Sequence, residues 1–162
     1  MQAGGARRRR PSNPGMALPD PAALGLAPHP EGGFYRELHR SPLTVRRADG
    51  GERSALTSIH FLLPPGGISR WHRVRDADEW WQVVEGSLRL WIGPTPAEAT
   101  VRELRPGAAG HAVVPAGWWQ AAEAPAGALC VCLVGPGFAF TDFDLIDGAM
   151  AAELDPDRRR LA

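Results

Sequence analysis

The stretch SRWHRVRDADEWWQVVEG, from Ser69 to Gly86, places a histidine, acidic residues and three tryptophans in a segment that otherwise reads as strand. Around it lie short apolar runs, among them ALTSIHFLL, SLRLWIG and ALCVCLVGPGF, which are separated by turns rich in Gly and Pro. Strands of this length, with turns about every 8–12 residues, are typical of a β-sandwich or barrel rather than of alternating strands and helices. The sequence therefore predicts a single all-β domain.

The two ends of the chain differ from this pattern. Residues 1–17 are rich in Gly and Pro and carry their charge as Arg7 to Arg10, which predicts a disordered basic tail before a domain at 18–162. We expect Met16 to be the authentic translation start, because the more ordinary text MALPDPAALGL begins there. The sequence also predicts a short helix over Pro21–Leu26 and one short surface helix within DGAMAAELDPDRRR.

The charge and the cysteine content of the chain limit the classes of protein to which it can belong. The 18 basic and 18 acidic residues give no net charge, so nothing draws the whole chain toward nucleic acid or an anionic membrane. No apolar run approaches the roughly 20 residues of a membrane span. We expect the two cysteines, Cys130 and Cys132, to face opposite sides of a strand and stay unpaired, which suits a reducing, cytoplasmic setting.

The polar residues of the opening stretch follow a recognisable spacing. Gly66, His72, Glu79 and Gly86 resemble the first motif of the cupin superfamily, which reads glycine, five residues, His-x-His, three or four residues, glutamate, six residues and glycine. PAGWWQ, ending at Gln120, resembles the second motif, where Pro-x-Gly is followed two residues later by histidine. We expect Glu79 to return on the strand next to that of His72 after a short turn. Because strand residues alternate between faces, we expect the histidine, carboxylate and amide to meet in the mouth of a small barrel.

The resemblance extends to one family within the cupins. APHPEGGFYRE, SRWHRVRDADEWW, VVPAGWWQAA and LVGPGFAFTDFDL together look like the family DUF985, also called Cupin_5, over about Leu24 to Leu145. This resemblance implies a double-stranded β-helix, the RmlC-like jelly roll, and a homodimer. It implies a pocket shaped like those of sugar-nucleotide epimerases and small-ligand-binding cupins. It implies no particular substrate.

Two positions depart from the metal-binding cupins. Val74 stands where those proteins have their second histidine, and Gln120 stands where they have their last. His72 and Glu79 remain as ligands, with the amide oxygen of Gln120 as a weak third, for a divalent metal such as Zn, Fe or Mn. The affinity for such a metal should fall steeply, because a neutral amide is a poor ligand.

The segment HPEGGFYRE supplies two further candidates. Tyr35 is the only tyrosine, so a mechanism that needs a phenol must use it, and Arg36 offers a planar guanidinium for an anionic ligand. Strand alternation places Phe34 and Arg36 on one face and Tyr35 and Glu37 on the other. The alternative interpretation is an edge strand whose polar residues serve a dimer contact.

Aromatic and histidine side chains complete the candidate pocket. If both segments are regular strands, Trp81 and Trp118 each share a face with the polar motif residue two positions away. An aromatic wall beside convergent polar groups is typical of small-ligand pockets. His60 is a further ligand-binding candidate. The sequence does not determine to which side of its strand His60 points, and the same holds for His111.

Three functions fit these residues. The first is an isomerase-, epimerase- or lyase-like enzyme acting on a small polar or anionic metabolite, with His72, Glu79 and Tyr35 moving protons and Arg36 clamping the anion. The second is a metal-dependent, dioxygenase-like enzyme that uses His72, Glu79 and Gln120 as ligands. The third is a ligand-binding module without catalysis. We favour the first, because the missing histidines count against the second and the retained His–Glu pair against the third.

Overall fold

The computed structural model describes residues 17–162. The predicted tail therefore lies outside the described residues except for Ala17, as does the proposed start at Met16. The strands are β1 (Ala27–Pro28), β2 (Phe34–Arg40), β3 (Thr44–Arg46), β4 (Glu52–Ser54), β5 (Thr57–Leu63), β6 (Gly67–Val74), β7 (Asp78–Gly86), β8 (Leu88–Gly93), β9 (Thr100–Leu104), β10 (His111–Val114), β11 (Trp119–Ala124), β12 (Ala128–Gly135) and β13 (Phe143–Leu145). The helices are α1 (Gly148–Ala152) and α2 (Pro156–Arg159), and a 3-10 turn spans Phe140–Asp142.

The strands form two main antiparallel sheets. The six-stranded sheet has the order β1-β2-β5-β12-β7-β10, and the five-stranded sheet has the order β13-β6-β11-β8-β9. Strands β3 and β4 form a separate hairpin. Consecutive strands β6 and β7 lie in different sheets, so the chain crosses between the layers at the turn after Val74. The predicted all-β class is confirmed.

The core lies between the two sheets. Phe61 and Trp81 enter it from the six-stranded sheet, and Leu90 and Ala122 enter it from the five-stranded sheet. All four side chains are almost completely buried. This layering follows from strand alternation, because every second residue of each strand points to the facing sheet.

A second apolar cluster covers the outer face of the five-stranded sheet. Trp71 and Trp119 point away from the main core and pack against Leu154 and Leu161 of the C-terminal segment. The indole N–H of Trp71 donates to the backbone oxygen of Arg158 at 2.8 Å. The predicted single surface helix is therefore two short helices, each followed by a buried leucine, and β11 is buried on both faces.

The N-terminal helix predicted over Pro21–Leu26 is a turn instead. The backbone N–H of Gly25 donates to Ala22 at 3.0 Å, and the N–H of Leu26 donates to Pro21 at 2.9 Å. Gly25 has a φ of 63°, in the left-handed region, which stops a helix from continuing. Among the described residues, no helix is long and apolar enough to cross a membrane.

The expectation that the two cysteines face opposite sides is wrong. Residues two apart in a strand share a face, and both Cys130 and Cys132 point into the main core from β12. Both thiols are free and buried, and burial raises the pKa of Cys130 to about 12. They are small core residues rather than nucleophiles at neutral pH.

Candidate functional site

A cavity of about 350 Å³ opens between the two sheets. Its polar lining includes two histidines and two glutamates, and much of the remaining wall is aromatic. The buried ionisable set is His29, Glu31, His72 and Glu79, the other polar lining residues are Arg36, Glu37, Arg40 and Thr57, and the aromatic set is Tyr35, Phe61, Trp81, Phe138, Phe140 and Phe143. The four buried ionisable residues come from three separate chain segments, so the fold creates this grouping.

The cupin-like spacing places two of these groups on opposite walls. His72 points inward from β6 of the five-stranded sheet and is 1% exposed, and Glu79 points inward from β7 of the six-stranded sheet and is 7% exposed. The sequence interpretation put Glu79 on the strand next to His72, and this is wrong because β6 and β7 belong to different sheets. The two side chains therefore approach the cavity from facing layers.

Gln120 joins the two sheets through a chain of hydrogen bonds. It lies directly opposite His72 in the β6–β11 register, and its Nε2 donates to Glu79 Oε2 at 2.6 Å. Its Oε1 accepts from the indole Nε1 of Trp81 at 2.7 Å. An indole N–H is only a donor, so this contact fixes which end of the amide faces the carboxyl group. Gln120 thus positions Glu79 and is itself fully buried behind the cavity wall.

The environment of Glu79 raises its pKa. Burial raises the pKa from 4.5 to about 7, although the nearby His72 and the Gln120 hydrogen bond act in the opposite direction. Among the described residues, only the neutral amide of Gln120 hydrogen-bonds to this carboxyl group. The carboxyl group is therefore partly protonated and partly ionised near neutral pH.

The motif HPEGG forms a tight turn that brings Glu31 against β6. The N–H of Gly32 donates to the backbone oxygen of His29 at 3.0 Å, and the N–H of Arg70 donates to the backbone oxygen of Glu31 at 2.7 Å. Gly32 has a φ of 109°, and a Cβ there would lie 2.4 Å from the backbone oxygen of Ile68. Only glycine allows the chain to pass this close, and the turn then directs His29 and Glu31 into the cavity.

Glu31 is the centre of a buried polar cluster. Its Oε1 accepts from the Ser69 hydroxyl at 2.8 Å, and its Oε2 lies 3.2 Å from His29 Nδ1 and 3.4 Å from His72 Nε2. Burial by itself would raise the pKa of Glu31, but the two imidazoles and the hydroxyl outweigh it and the pKa is lowered. This cluster keeps a carboxylate ionised inside the protein.

The contacts of His72 define which ring nitrogen can exchange a proton. Its Nδ1 lies 2.7 Å from the backbone oxygen of Arg70, and a carbonyl only accepts, so Nδ1 carries a proton. Its Nε2 faces the carboxylate of Glu31 on the cavity side. Nε2 is thus the nitrogen available for proton transfer, and Glu31 is its charge partner.

His29 and Glu31 were not proposed from the sequence. In the motif HPEGGFYRE, strand alternation predicts the side-chain direction only for the residues after the glycines. A turn has no such period, so the direction of its side chains could not be read in the same way. The available signal was a glutamate directly before two glycines, since such a turn can bring a polar side chain close to another strand.

The residues after the glycines divide between two faces. Tyr35 pairs in register with Phe61 and lines the cavity, where its ring packs edge-on against His29 with centroids 4.7 Å apart. Arg36 pairs with His60, and because paired residues share a face, both belong to the opposite side of the sheet. Arg36 nevertheless lines the cavity, whereas His60 does not.

The tryptophans divide in a similar way. Trp81 lines the cavity and is fully buried. Trp118 precedes the first residue of β11, is 39% exposed and does not line the cavity, so the assumption of a regular strand through it is wrong. His111 points outward and stacks on Trp80 with ring centroids 4.9 Å apart.

The side chains present do not form the expected metal-ligand set. The amide oxygen of Gln120 already accepts from Trp81, so it cannot also face an ion without breaking that bond. Val74, at the position of the second histidine, offers no donor atom and lines the cavity as an apolar residue. Within residues 17–162, no three His, Cys, Asp or Glu side chains are arranged to hold a metal ion. The donor set His72, Glu79 and Gln120 therefore does not fit a divalent metal in this arrangement.

Comparison with known proteins identifies relatives of this fold. A hypothetical protein from Leishmania major is 28% identical, with a TM-score of 0.69, covering 87% of this chain and 93% of that one. A Shewanella oneidensis protein is 30% identical, with a TM-score of 0.72, covering 87% and 90%. Oxalate decarboxylase from Bacillus subtilis is 23% identical, with a TM-score of 0.54, covering 78% of this chain and 31% of the enzyme, and this similarity shows the fold alone.

No curated protein matches the chain. The family model described as Cupin superfamily (DUF985), or Cupin_5, matches residues 22–146. This range includes every residue that lines the cavity, and it confirms the resemblance inferred from the four sequence motifs. The chain belongs to the DUF985 family of the cupin superfamily.

Proposed function

We propose that this protein binds a small polar metabolite in the cavity and acts on it by general acid–base catalysis. The observation that carries the proposal is the state of Glu79, whose buried carboxyl group lines the cavity with a pKa of about 7. A catalytic acid or base works best when its pKa lies near the operating pH. Glu79 can therefore both give and take a proton under cellular conditions.

The arrangement of proton carriers favours isomerase-, epimerase- or lyase-like chemistry. Glu79 and His72 approach the cavity from facing sheets, so a ligand between them presents a different side to each. One group can remove a proton while the other delivers one to a second atom or to the opposite side of the same atom. Glu31 and Gln120 act as positioning residues, since they hold the imidazole and the carboxyl group respectively.

Tyr35 and the aromatic walls support the same function. The phenol of Tyr35 lies on the cavity wall and is a third group that can carry a proton. The rings of Phe61, Trp81 and Phe143 give the cavity an apolar wall, and electrostatic interactions with a bound ligand are stronger beside such a wall than in water. Arg36 also lines the cavity, but its strand position is on the sheet face opposite to Tyr35, and it carries no proton in this proposal.

Solvent-deuterium exchange tests the catalytic proposal directly. Ligands are first selected from sugars, keto acids, amines and phosphorylated metabolites by thermal shift, because a bound ligand stabilises the folded state. Each ligand is then incubated with the protein in deuterium oxide and analysed by mass spectrometry. We expect the wild-type protein to exchange a carbon-bound proton of at least one ligand, and Glu79→Gln to slow that exchange by about 100-fold.

Glu103→Gln is the matched control for this experiment, because it makes the same chemical change at an exposed site on β9. It should exchange deuterium at the wild-type rate. A ligand that stabilises the protein but shows no exchange and no turnover would contradict catalysis and favour the non-catalytic binding module. Equal exchange rates in the wild type and Glu79→Gln would remove Glu79 from the mechanism.

The metal-dependent alternative draws its support from the fold neighbours. One oxalate decarboxylase structure, from work on the Mn(II) centres of that enzyme, matches this chain at 22% identity, with a TM-score of 0.54, covering 81% of the chain and 33% of the enzyme. His72 and Glu79 are good transition-metal ligands, but Val74 and the engaged oxygen of Gln120 do not complete a set.

We expect elemental analysis of protein purified without chelator to give Zn, Fe and Mn contents far below stoichiometric. The physical reason is that two good ligands and no free third donor give a weak site. Exposed histidines could retain adventitious metal, so the matched comparison is His39→Ala against His72→Ala. Near-stoichiometric metal that disappears only in His72→Ala would favour the metal-dependent enzyme over metal-independent acid–base catalysis.

The homodimer and the cytoplasmic location remain predictions. Sedimentation equilibrium of the full chain would test the first, with a mass of twice 17.4 kDa expected. Fractionation of the native host would test the second.

A further inference from the structure

Charged groups are unevenly distributed along the cavity. At the buried inner end lie the carboxyl groups of Glu31 and Glu79, which are only 5% and 7% exposed. Among the cavity-lining residues, the arginines are Arg36 and Arg40, and both belong to exposed positions of β2. The inner end is thus built around two carboxyl groups, with no arginine or lysine beside them.

The rim arginines are not directed at the inner end. Arg40 donates from Nε and Nη2 to Glu37 at 3.1 and 2.7 Å, and from Nη1 to the backbone oxygen of Phe138 at 3.1 Å. Arg36 shares the opposite sheet face with His60. The Arg40 guanidinium is therefore engaged by protein acceptors, and Arg36 leaves its strand on the side opposite to Glu79.

The donors of the inner end are already engaged by protein acceptors. His72 is held by the Arg70 backbone oxygen and Glu31, and the amide N–H of Gln120 is held by Glu79. His29 also lines the cavity, and Oε1 of Glu79 has no hydrogen-bond partner among the described residues. The groups that can still form hydrogen bonds at the inner end are therefore mainly carboxyl oxygens, which accept from hydroxyl and amino groups.

The aromatic walls of the cavity favour the same class of ligand as the carboxyl groups do. Tyr35, Phe61, Phe138 and Phe143 present ring faces and edges to the cavity. Aromatic faces attract cations and pack well against apolar rings, and apart from the phenol of Tyr35 these side chains carry no hydrogen-bond donor. A volume of about 350 Å³ is near the lower end of the usual range for ligand pockets, roughly 300–1,000 Å³, and suits a molecule of one or two rings.

We propose that the cavity takes an uncharged or cationic molecule whose hydroxyl or amino groups donate to Glu31 and Glu79, with a ring-sized apolar body between the aromatic walls. Carboxylates and phosphates are disfavoured, because they would bring a further negative charge to two buried carboxyl groups, and the two nearby imidazoles already face Glu31. This inference rests on the ligand-binding role proposed above and replaces the anionic metabolite that the sequence suggested through Arg36.

A matched set of three probes tests the charge preference. They are 2-phenylethylamine, 2-phenylethanol and phenylacetate, which share one skeleton and are respectively cationic, neutral and anionic at neutral pH. Binding to the full chain is followed by NMR through the backbone amides of Tyr35 and Val74. We expect the amine and the alcohol to bind, and phenylacetate to bind at least about tenfold more weakly than either. Phenylacetate binding equal to or tighter than the amine, or no binding of any probe, would overturn the proposal.

Charge-neutralising variants assign the preference to the carboxyl groups. Glu31→Gln should reduce the ratio of amine to phenylacetate affinity by at least about tenfold, and Glu103→Gln should leave that ratio unchanged. If Glu31→Gln does not fold, Glu79→Gln serves for the same comparison. A ratio that both carboxyl variants leave unchanged would contradict the inference.

The outcomes separate this inference from the catalytic proposal. The expected probe preference without deuterium exchange in any ligand would keep the charge inference and remove catalysis. Deuterium exchange in a ligand together with tighter phenylacetate binding would keep catalysis and remove the charge inference.

Discussion

Replacing His72 with leucine is expected to destabilise the folded protein at neutral pH by roughly 3 kcal/mol, because it removes the imidazole beside the buried carboxylate of Glu31. His72 Nε2 lies 3.4 Å from Glu31 Oε2, and both side chains are almost fully buried. Without that partner, the Ser69 hydroxyl and His29 only partly compensate the charge. Urea denaturation of wild type and variant measures the difference in the free energy of unfolding.

A double-mutant cycle distinguishes pairing from packing. In a Glu31→Gln background the carboxylate is gone, so His72→Leu should cost much less than it does in the wild type. The single variant should also recover stability relative to wild type as the pH falls, because an unpaired Glu31 can become neutral by protonation. His39→Leu, at an exposed position of β2, is the matched control and should change stability by less than roughly 0.5 kcal/mol. An equal cost of His72→Leu in both backgrounds would show that the imidazole contributes by packing alone.

Much of the fold could be predicted because strand patterns are local. The run ALTSIHFLL contains β5, and the opening stretch contains most of β6 and β7, so the position of each strand followed from apolar alternation and from Gly and Pro turns. The assignment of strands to sheets did not follow, because β6 and β7 are consecutive in sequence but lie in different layers. Pairing partners depend on the whole chain and leave no local pattern.

The candidate site was predicted in part for the same reason. The spacing of His72, Glu79 and Gln120 is a local pattern on strands, and the structure brings Gln120 next to both of the others. Whether Arg36 or Tyr35 faces inward depends on which sheet face is covered, and parity alone leaves that choice open. Glu31 enters the site from a turn, where only the tertiary contact with β6 determines its direction.

Glu79→Gln is expected to show a pH-dependent stability difference of roughly 3 kcal/mol relative to wild type. Burial raises the pKa of Glu79 in the folded protein from 4.5 to about 7, so the folded state holds the proton more tightly than the unfolded chain. The stability contributed by this proton is complete below the unfolded value of 4.5 and is lost as the pH rises through about 7. At higher pH the folded wild type must keep a buried carboxylate with a neutral amide as its hydrogen-bond donor, whereas glutamine stays uncharged.

Urea denaturation of both proteins from about pH 5 to about pH 8.5 measures this difference without identifying a ligand. The free energy of unfolding of Glu79→Gln should rise relative to that of wild type as the pH increases, with most of the change between the unfolded pKa of 4.5 and the folded pKa of about 7 and little change above it. Glu103→Gln removes an exposed carboxyl group, so its difference from wild type should stay flat over the same range. A flat difference for Glu79→Gln as well would mean that its carboxyl group titrates like an exposed one. Glu79 would then be largely ionised at neutral pH, and it could not serve as the proton donor that the cavity otherwise provides.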